Sequence, residues 1–221
     1  GSRMTSRPAR PDERNPAGAG RAARAQLAAV AQDAAACSNC PLWERATQTV
    51  FGEGAVPAAM MLVGEEPGDR EDRDGHPFVG PAGRVLDAAL DEVGLRRSEV
   101  YLTNVVKHFK WQARGKRRIH QRPNESEVRA CRPWLDHELR LVRPRVLVCL
   151  GATAAQALLG PSSRVTALRG HPIESDLAEV VMATVHPASV LRSGTAEQIE
   201  SARSAFTADL RVAARALRLG G

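Results

Sequence analysis

Four short apolar runs alternate with helical patterns along this chain. The runs predict buried strands at residues 60–63, 100–103, 145–150 and 180–185. Apolar residues at helical spacing and Ala-rich stretches predict helices at 21–36, 81–93, 125–141, 152–159 and 196–219. Alternating strands and helices are typical of a mostly parallel sheet that is covered on both faces. The pattern therefore predicts a three-layer α/β/α fold with a mostly parallel four-stranded central sheet.

Polar residues follow each predicted strand directly. They are Gly64-Glu65-Glu66, Asn104, Gly151 and His186-Pro187. Ligands of open α/β sheets bind outside the carboxyl ends of the strands, so these residues are expected to meet at one edge. The clustering of an acid, an amide and a histidine there is a better functional signal than any one of these residues.

The first residues differ in composition from the rest. Gly1-Ser2-Arg3 before Met4 resembles a tag remnant, and residues 4 to about 20 are rich in Pro, Arg, Gly and Ala without periodicity. We therefore expect a disordered tail over residues 1–20 and a single domain over 21–221. The absence of a membrane-length apolar run predicts no membrane partner. We expect a monomer in the bacterial cytoplasm.

Charge is distributed unevenly. The chain has 31 basic and 25 acidic residues, and all its lysines lie in the segment Lys107–His120, which has six Lys and Arg and no acid. Such a segment is expected at the surface, because burying unpaired charges is costly. Its arginines, including Arg118, and its two aromatics are expected to meet nucleic acid phosphates and bases.

Four cysteines are the candidate metal ligands: Cys37, Cys40, Cys131 and Cys149. A disulfide framework is disfavoured in a cytosolic protein of this size. The spacing alone leaves a redox Cys-x-x-Cys, a buried structural Cys149 and four-cysteine metal binding open. If a metal is bound, the Cys-Pro ending and the wide second spacing favour an iron–sulfur cluster over zinc.

Three further motifs carry candidate chemistry. Gly64-Glu-Glu-Pro-Gly68-Asp69 is a tight turn whose glycines permit close ligand approach. Phe78-Val-Gly-Pro-Ala-Gly83 leads into a helix, and His186-Pro-Ala-Ser189 with Arg192 follows the last strand. Taken alone, each has an ordinary explanation as a loop or a capped histidine.

Together these ordered motifs resemble the family 4 uracil-DNA glycosylases, over most of the chain from Cys37 to about residue 215. The resemblance implies the uracil-DNA glycosylase fold, uracil-containing DNA as substrate and a [4Fe-4S] cluster on the four cysteines. It further implies that Phe78 stacks on uracil, Asn104 reads the base edge, and His186 donates to O2. The residues implied to contact the substrate are Gly64, Glu66, Gly68, Asp69, Ser189 and Arg192. Residues 189–191 are candidates for a wedge that enters the DNA where the base left.

The segment Lys116-Arg-Arg-Ile-His120 resembles the hallmark insertion of the UdgX branch. In that branch the histidine becomes covalently joined to the DNA sugar after uracil leaves, and Glu65 would take a proton from the attacking group. Two departures stand out: Glu66 replaces a Gln, and Ala188 replaces a Ser. Glu66 adds a negative charge beside the phosphates and is therefore expected to change the contact with the flipped nucleotide.

Three functions remain open on the sequence. The first is a glycosylase that traps itself on single-stranded DNA through His120. The second is an ordinary family 4 enzyme that releases free uracil repeatedly and leaves an abasic site. The third is a nucleic-acid-binding module without chemistry, in which His120 only contacts phosphate.

Overall fold

The computed structural model describes residues 15–219. Within them a central sheet has the strand order β1-β3-β2-β6-β7. Its strands are β1 (Glu53–Gly54), β2 (Met60–Gly64), β3 (Tyr101–Asn104), β6 (Val146–Leu150) and β7 (Val180–Thr184). All neighbours pair in parallel except β1, which pairs antiparallel to β3. The predicted α/β class is confirmed, but the prediction of four strands is wrong because the two-residue edge strand β1 has no periodic pattern.

Helices cover both faces of the sheet. They are α1 (Pro16–Ala35), α2 (Asp69–Asp74), α3 (Pro81–Glu92), α4 (Glu125–Val142), α5 (Ala152–Leu159), α6 (Val165–Leu168), α7 (Pro187–Leu191) and α8 (Ala196–Leu219), with short 3-10 helices at Pro41–Glu44 and Arg97–Glu99. One apolar layer includes residues of α1, α4 and α5, and the other includes residues of α3 and α8. Among the described residues no helix has the length and apolar character needed to cross a membrane.

The N-terminal helix begins earlier than expected. The Asn15 side chain caps α1 by accepting a hydrogen bond from the Gly18 amide, and Pro16 occupies the first helical position. Residues 16–20 are therefore helical rather than part of a disordered tail. The proposed tag remnant and the rest of that tail, residues 1–14, lie outside the described residues.

The basic segment is not a free surface loop throughout. Lys107, His108 and Phe109 are buried, and the Lys107 ammonium pairs with the buried Glu138 carboxylate of α4. It also donates to Thr103 Oγ1 and to the Asn104 carbonyl, both at 2.6 Å. The prediction that the segment lies outside the core is wrong for these residues, because the Glu138 carboxylate and two further oxygen acceptors satisfy the Lys107 charge.

The remainder of that segment forms an antiparallel hairpin. Strand β4 (Trp111–Arg114) pairs with β5 (Arg117–His120), so that Trp111 lies opposite His120. Gly115 has a φ of 60° in the two-residue turn, a conformation that glycine adopts without strain. The hairpin thereby places His120 at its base, next to the carboxyl ends of β2 and β3.

Candidate active site

A cavity of about 640 Å³ opens at the carboxyl ends of the parallel strands. Its lining includes most of the sequence-predicted site residues, namely Glu65, Glu66, Gly68, Asp69, Phe78, Asn104, His120, His186 and Arg192. Glu65, Asn104 and His186 meet here although more than a hundred positions separate the first from the last, because each lies at the end of a strand of one sheet. The expectation that the strand ends converge is therefore met in the structure.

The inner end of the cavity is bounded by a flat ring, an amide and an imidazole around Gly64. A Cβ atom added to Gly64 would lie 2.6 Å from Asn104 Oδ1, 2.7 Å from Phe78 Cζ and 3.4 Å from His186 Nε2. Gly64 and Asn104 are register partners on β2 and β3, which explains why the amide lies above this glycine. The buried Asn104 Oδ1 has no hydrogen-bond partner among the described residues, so it is available to a ligand.

Phe78 is held in an unusual backbone conformation. Its φ is 54°, a left-handed value that is costly for an aromatic residue. The Arg97 guanidinium donates to the Phe78 carbonyl at 2.7 Å, and a Cβ on Gly83 would lie 1.9 Å from the same oxygen. Arg97 and the missing side chain at Gly83 thus fix the turn that presents the ring to the cavity.

A backbone contact of His186 determines which ring nitrogen carries the proton and faces the cavity. Its Nδ1 accepts a hydrogen bond from the Ala188 amide at 3.0 Å, where His186 caps the start of α7. Burial holds the pKa of His186 well below its usual value, so the ring is neutral and its proton is on Nε2. His186 is therefore both a helix cap and a neutral N–H donor directed at the space above Gly64.

His120 approaches two carboxylates at the mouth of the cavity. Its Nε2 lies 2.8 Å from Glu65 Oε1 and 3.0 Å from Glu66 Oε1. The second Glu65 oxygen, Oε2, accepts a hydrogen bond from Thr153 Oγ1 at the start of α5. The His120 side chain is 50% exposed, whereas that of Glu66 is completely buried.

These contacts perturb all three groups. Contact first with Glu65 and then with Glu66 raises the pKa of His120 to about 10. Burial raises the pKa of Glu66 to about 8, against the opposing effect of His120. Burial also acts to raise the pKa of Glu65, but His120 and Thr153 outweigh it and the pKa is lowered. At neutral pH the group therefore holds an imidazolium beside an ionised Glu65.

Arg118 does not extend toward solvent. Its Nε donates to Asp69 Oδ1 at 2.6 Å and its Nη1 to Asp72 Oδ2 at 2.7 Å, and its side chain is 15% exposed. The predicted phosphate contact is therefore not free in this conformation, and Arg118 instead attaches the hairpin to α2. Of the two aromatics predicted to stack on bases, Phe109 is buried, and the part-exposed Trp111 packs against the guanidinium of Arg45.

The last motif forms the rim of the cavity. Ser189 Oγ donates to the His186 carbonyl at 2.7 Å, which closes the first turn of α7 rather than facing a ligand. Leu191 is 38% exposed and lines the cavity together with Arg192. Leu191 is thus the member of the predicted wedge that the fold leaves accessible.

Three of the four cysteines share one environment. Burial raises the pKa of the Cys131 thiol to about 11, and the nearby Cys37 and Cys40 add to that effect. The sulfur of Cys131 accepts from the Lys107 amide at 3.2 Å, and that of Cys37 accepts from Trp134 Nε1 at 3.3 Å. Amide and indole donors directed at sulfur suit thiolates that hold an iron–sulfur cluster.

Cys149 differs from that group. It lies inside β6, and the pKa of its thiol is raised by burial alone, without a contribution from another cysteine. His108 reaches the same region: it follows Lys107, whose amide donates to Cys131, and its Nε2 is 2.9 Å from Thr49 Oγ1. Thr49 in turn donates to the Ala34 carbonyl at the end of α1. Cys149 as the fourth ligand stays a prediction, and His108 is an alternative that the sequence reasoning did not consider.

A family model described as "Uracil DNA glycosylase superfamily" matches residues 51–211. The chain belongs to this superfamily. Among curated relatives, the type-4 uracil-DNA glycosylase of Thermotoga maritima is 38% identical over 76% of this chain and 88% of its own length. The type-4 enzyme of Archaeoglobus fulgidus is 36% identical over 78% and 87%, and that of Sulfurisphaera tokodaii is 35% identical over 75% and 76%.

Sequence reasoning missed two residues that support this superfamily site. Thr153 binds Glu65 and could have been found, since it follows Gly151 at a strand end. Arg97 clamps the Phe78 turn from a 3-10 helix, and nothing in its local sequence indicates that role.

Proposed function

We propose that this protein excises uracil from DNA and that His120 then forms a covalent bond to C1′ of the sugar. The observation that carries the proposal is the position of His120 Nε2, 2.8 Å from Glu65 at the mouth of a cavity with an aromatic, an amide and an imidazole at its inner end. The superfamily supports the excision step. The resemblance of the hairpin to the UdgX insertion supports the covalent step.

Base recognition follows from the inner end of the cavity. Phe78 offers a ring face for stacking, and Asn104 offers a donor and an acceptor that suit the N3–O4 edge of uracil, where cytosine presents the opposite pattern. Uracil N3–H would donate to Asn104 Oδ1, which is buried without a hydrogen-bond partner among the described residues.

Cleavage breaks the bond between C1′ and N1, and the electron pair leaves with the base as the uracil anion. The neutral His186 donates its Nε2 proton as a hydrogen bond to O2, where negative charge accumulates. Glu65 is ionised and lies on the sugar side, so it favours the positive charge that develops at C1′.

Bond formation requires His120 to lose its Nε2 proton. That proton passes to the carboxylate of Glu65, and the freed Nε2 lone pair forms the new bond to C1′. Imidazole is a poor leaving group from C1′, so the adduct persists and each molecule reacts once. Exposed Leu191 would fill the gap left by the base, and Arg192 would face the backbone phosphates.

We further propose a [4Fe-4S] cluster held by Cys37, Cys40 and Cys131, with Cys149 or His108 as the fourth ligand. When bound, it would tie the end of α1 and the start of the 3-10 helix to α4. The excision and attack steps use none of these residues.

The second candidate is a conventional glycosylase that releases uracil and turns over. The raised pKa of His120 favours it, because an imidazolium has no lone pair for attack and water would then react at C1′. In that case Glu65 would accept the proton of the water molecule instead.

A denaturing gel with a labelled uracil-containing single-stranded oligonucleotide separates the two candidates. We expect a heat- and SDS-stable band at the summed mass with the wild-type chain and not with a thymine oligonucleotide. His120→Ser should lose the band but release free uracil repeatedly, while His171→Ser, which changes an exposed histidine, should behave as the wild type. A stable band with His120→Ser would refute the covalent assignment, and the same reaction on a duplex tests the single-strand preference.

A further inference from the structure

The cluster of Glu65, Glu66 and His120 contains more ligand atoms than the proposed reaction uses. One oxygen from each carboxylate and one imidazole nitrogen lie within 4.8 Å of one another. Two carboxylates and an imidazole are ligands that zinc accepts, and catalytic zinc sites commonly use three protein ligands with one open position. Metal binding would displace the Nε2 proton of the His120 imidazolium and release it to solvent.

Glu66 is the residue that points to a ligand. Its side chain is completely buried, and neither carboxylate oxygen has a well-formed hydrogen bond among the described residues. Buried carboxylates are rarely left in this state, because the desolvation penalty is not offset. The Glu66 carboxylate faces the half-exposed His120 ring, and the backbone amide of Lys110 is a further donor near it.

From this geometry we propose that Glu65, Glu66 and His120 bind a single divalent ion of the zinc class, and that the bound ion prevents reaction at His120. The two Nε2–oxygen distances are 2.8 and 3.0 Å. Ligands at zinc bond lengths in a tetrahedron are about 3.3 Å apart, so the ring needs to move outward by a few tenths of an ångström. His120 ends a hairpin strand and is half exposed, which permits that movement.

The neighbours of the cluster are arranged as a metal site requires. Thr153 Oγ1 holds Glu65 Oε2, which leaves Oε1 directed at the centre of the cluster. A hydrogen bond of this kind orients a ligating carboxylate. The ion would occupy the Nε2 lone pair, which is the electron pair that the covalent reaction needs, so zinc and DNA sugar would compete for one atom.

Zinc binding can be measured directly, without DNA and independently of the proposed function. Protein that holds its iron–sulfur cluster is dialysed against ZnCl2, and the zinc and iron contents of the same sample are measured. Zinc that has entered the cysteine site is then recognised by loss of iron. We expect one zinc per chain at full iron content. Glu66→Gln and His120→Ser should each weaken binding at least about tenfold, and Thr153→Val by about 10- to 100-fold.

Matched controls change the same residue types outside the cluster. Glu125 and His171 are exposed, and Glu125→Gln and His171→Ser should bind zinc as the wild type does. Zinc should also suppress the reaction with uracil DNA, and a chelator should restore it. The proposal is overturned if zinc does not bind saturably at full iron content, or if its affinity is unchanged in both Glu66→Gln and His120→Ser. Zinc binding without any covalent adduct would instead refute only the trapping function.

Discussion

Removing one member of the buried Lys107–Glu138 pair should destabilise the protein strongly. Both side chains are at most 1% exposed. In Lys107→Met the Glu138 carboxylate keeps only the hydroxyl donors of Tyr101 at 2.6 Å and Thr103 at 3.0 Å. Breaking a buried pair in this way costs about 3–5 kcal/mol. A chain of this size loses roughly 2–4 °C of melting temperature per kcal/mol, which gives a decrease of about 6–20 °C.

The assay is a double-mutant cycle followed by circular dichroism melting of cluster-loaded protein. Glu138→Gln retains an oxygen acceptor for Tyr101 but leaves Lys107 unpaired, so it should be similarly destabilised. The double variant contains neither charge and should be more stable than the sum of the single effects predicts by more than about 1.5 kcal/mol.

The exposed pair of Arg129 and Glu125, 3.4 Å apart, is the control. The variants Arg129→Met and Glu125→Gln should be additive, since such surface pairs contribute little. Additive effects at Lys107 and Glu138, or single-variant shifts below about 2 °C, would show that the buried charges do not depend on each other.

Three further outcomes follow from the site. Arg97→Met should lower the rate of uracil excision by about tenfold or more while leaving bulk DNA binding unchanged, because Phe78 then loses the donor that fixes its carbonyl; an unaltered rate in a single-turnover uracil-release assay would argue against the clamp. NMR signals of the histidines, assigned with His120→Ser, should show that His120 is still protonated at pH 8. The contribution of His120 to the free energy of unfolding should be complete below about pH 6.5 and should be lost as the pH rises through about 10. A His120 signal that titrates near pH 6.5 would contradict this. Iron analysis should show whether Cys149→Ser or His108→Ala lowers cluster content, and retention of the cluster in both variants would refute both candidate ligands.

Strand ends were the part of this site that the sequence predicted best. Glu65, Asn104 and His186 each follow an apolar run, and a parallel sheet necessarily brings such positions to one edge. The helix boundaries were also close to those predicted where a strong signal exists, as with the capping box formed by Asn124 and Glu127.

Contacts between distant segments were not predictable in this way. Lys107 is buried because Glu138 arrives from α4, and no local pattern around Lys107 records that partner. The sequence similarly predicts a phosphate contact for Arg118, whereas in the structure the carboxylates of Asp69 and Asp72 accept hydrogen bonds from its guanidinium. The hairpin itself was missed, since its strands lack the apolar alternation that normally indicates β structure.

Because His120 lies in a hairpin strand, the face to which its side chain points depends on the number of residues in that strand. Successive side chains of a strand point to opposite faces, so inserting one residue into β5 would turn the imidazole away from Glu65, while inserting two would return it to the same face. The turn at Gly115 lies at the far end of the hairpin and can change length without altering that parity. Divergence in this segment should therefore be tolerated at the tip, whereas between Arg117 and His120 only insertions of even length can retain the imidazole facing the cavity.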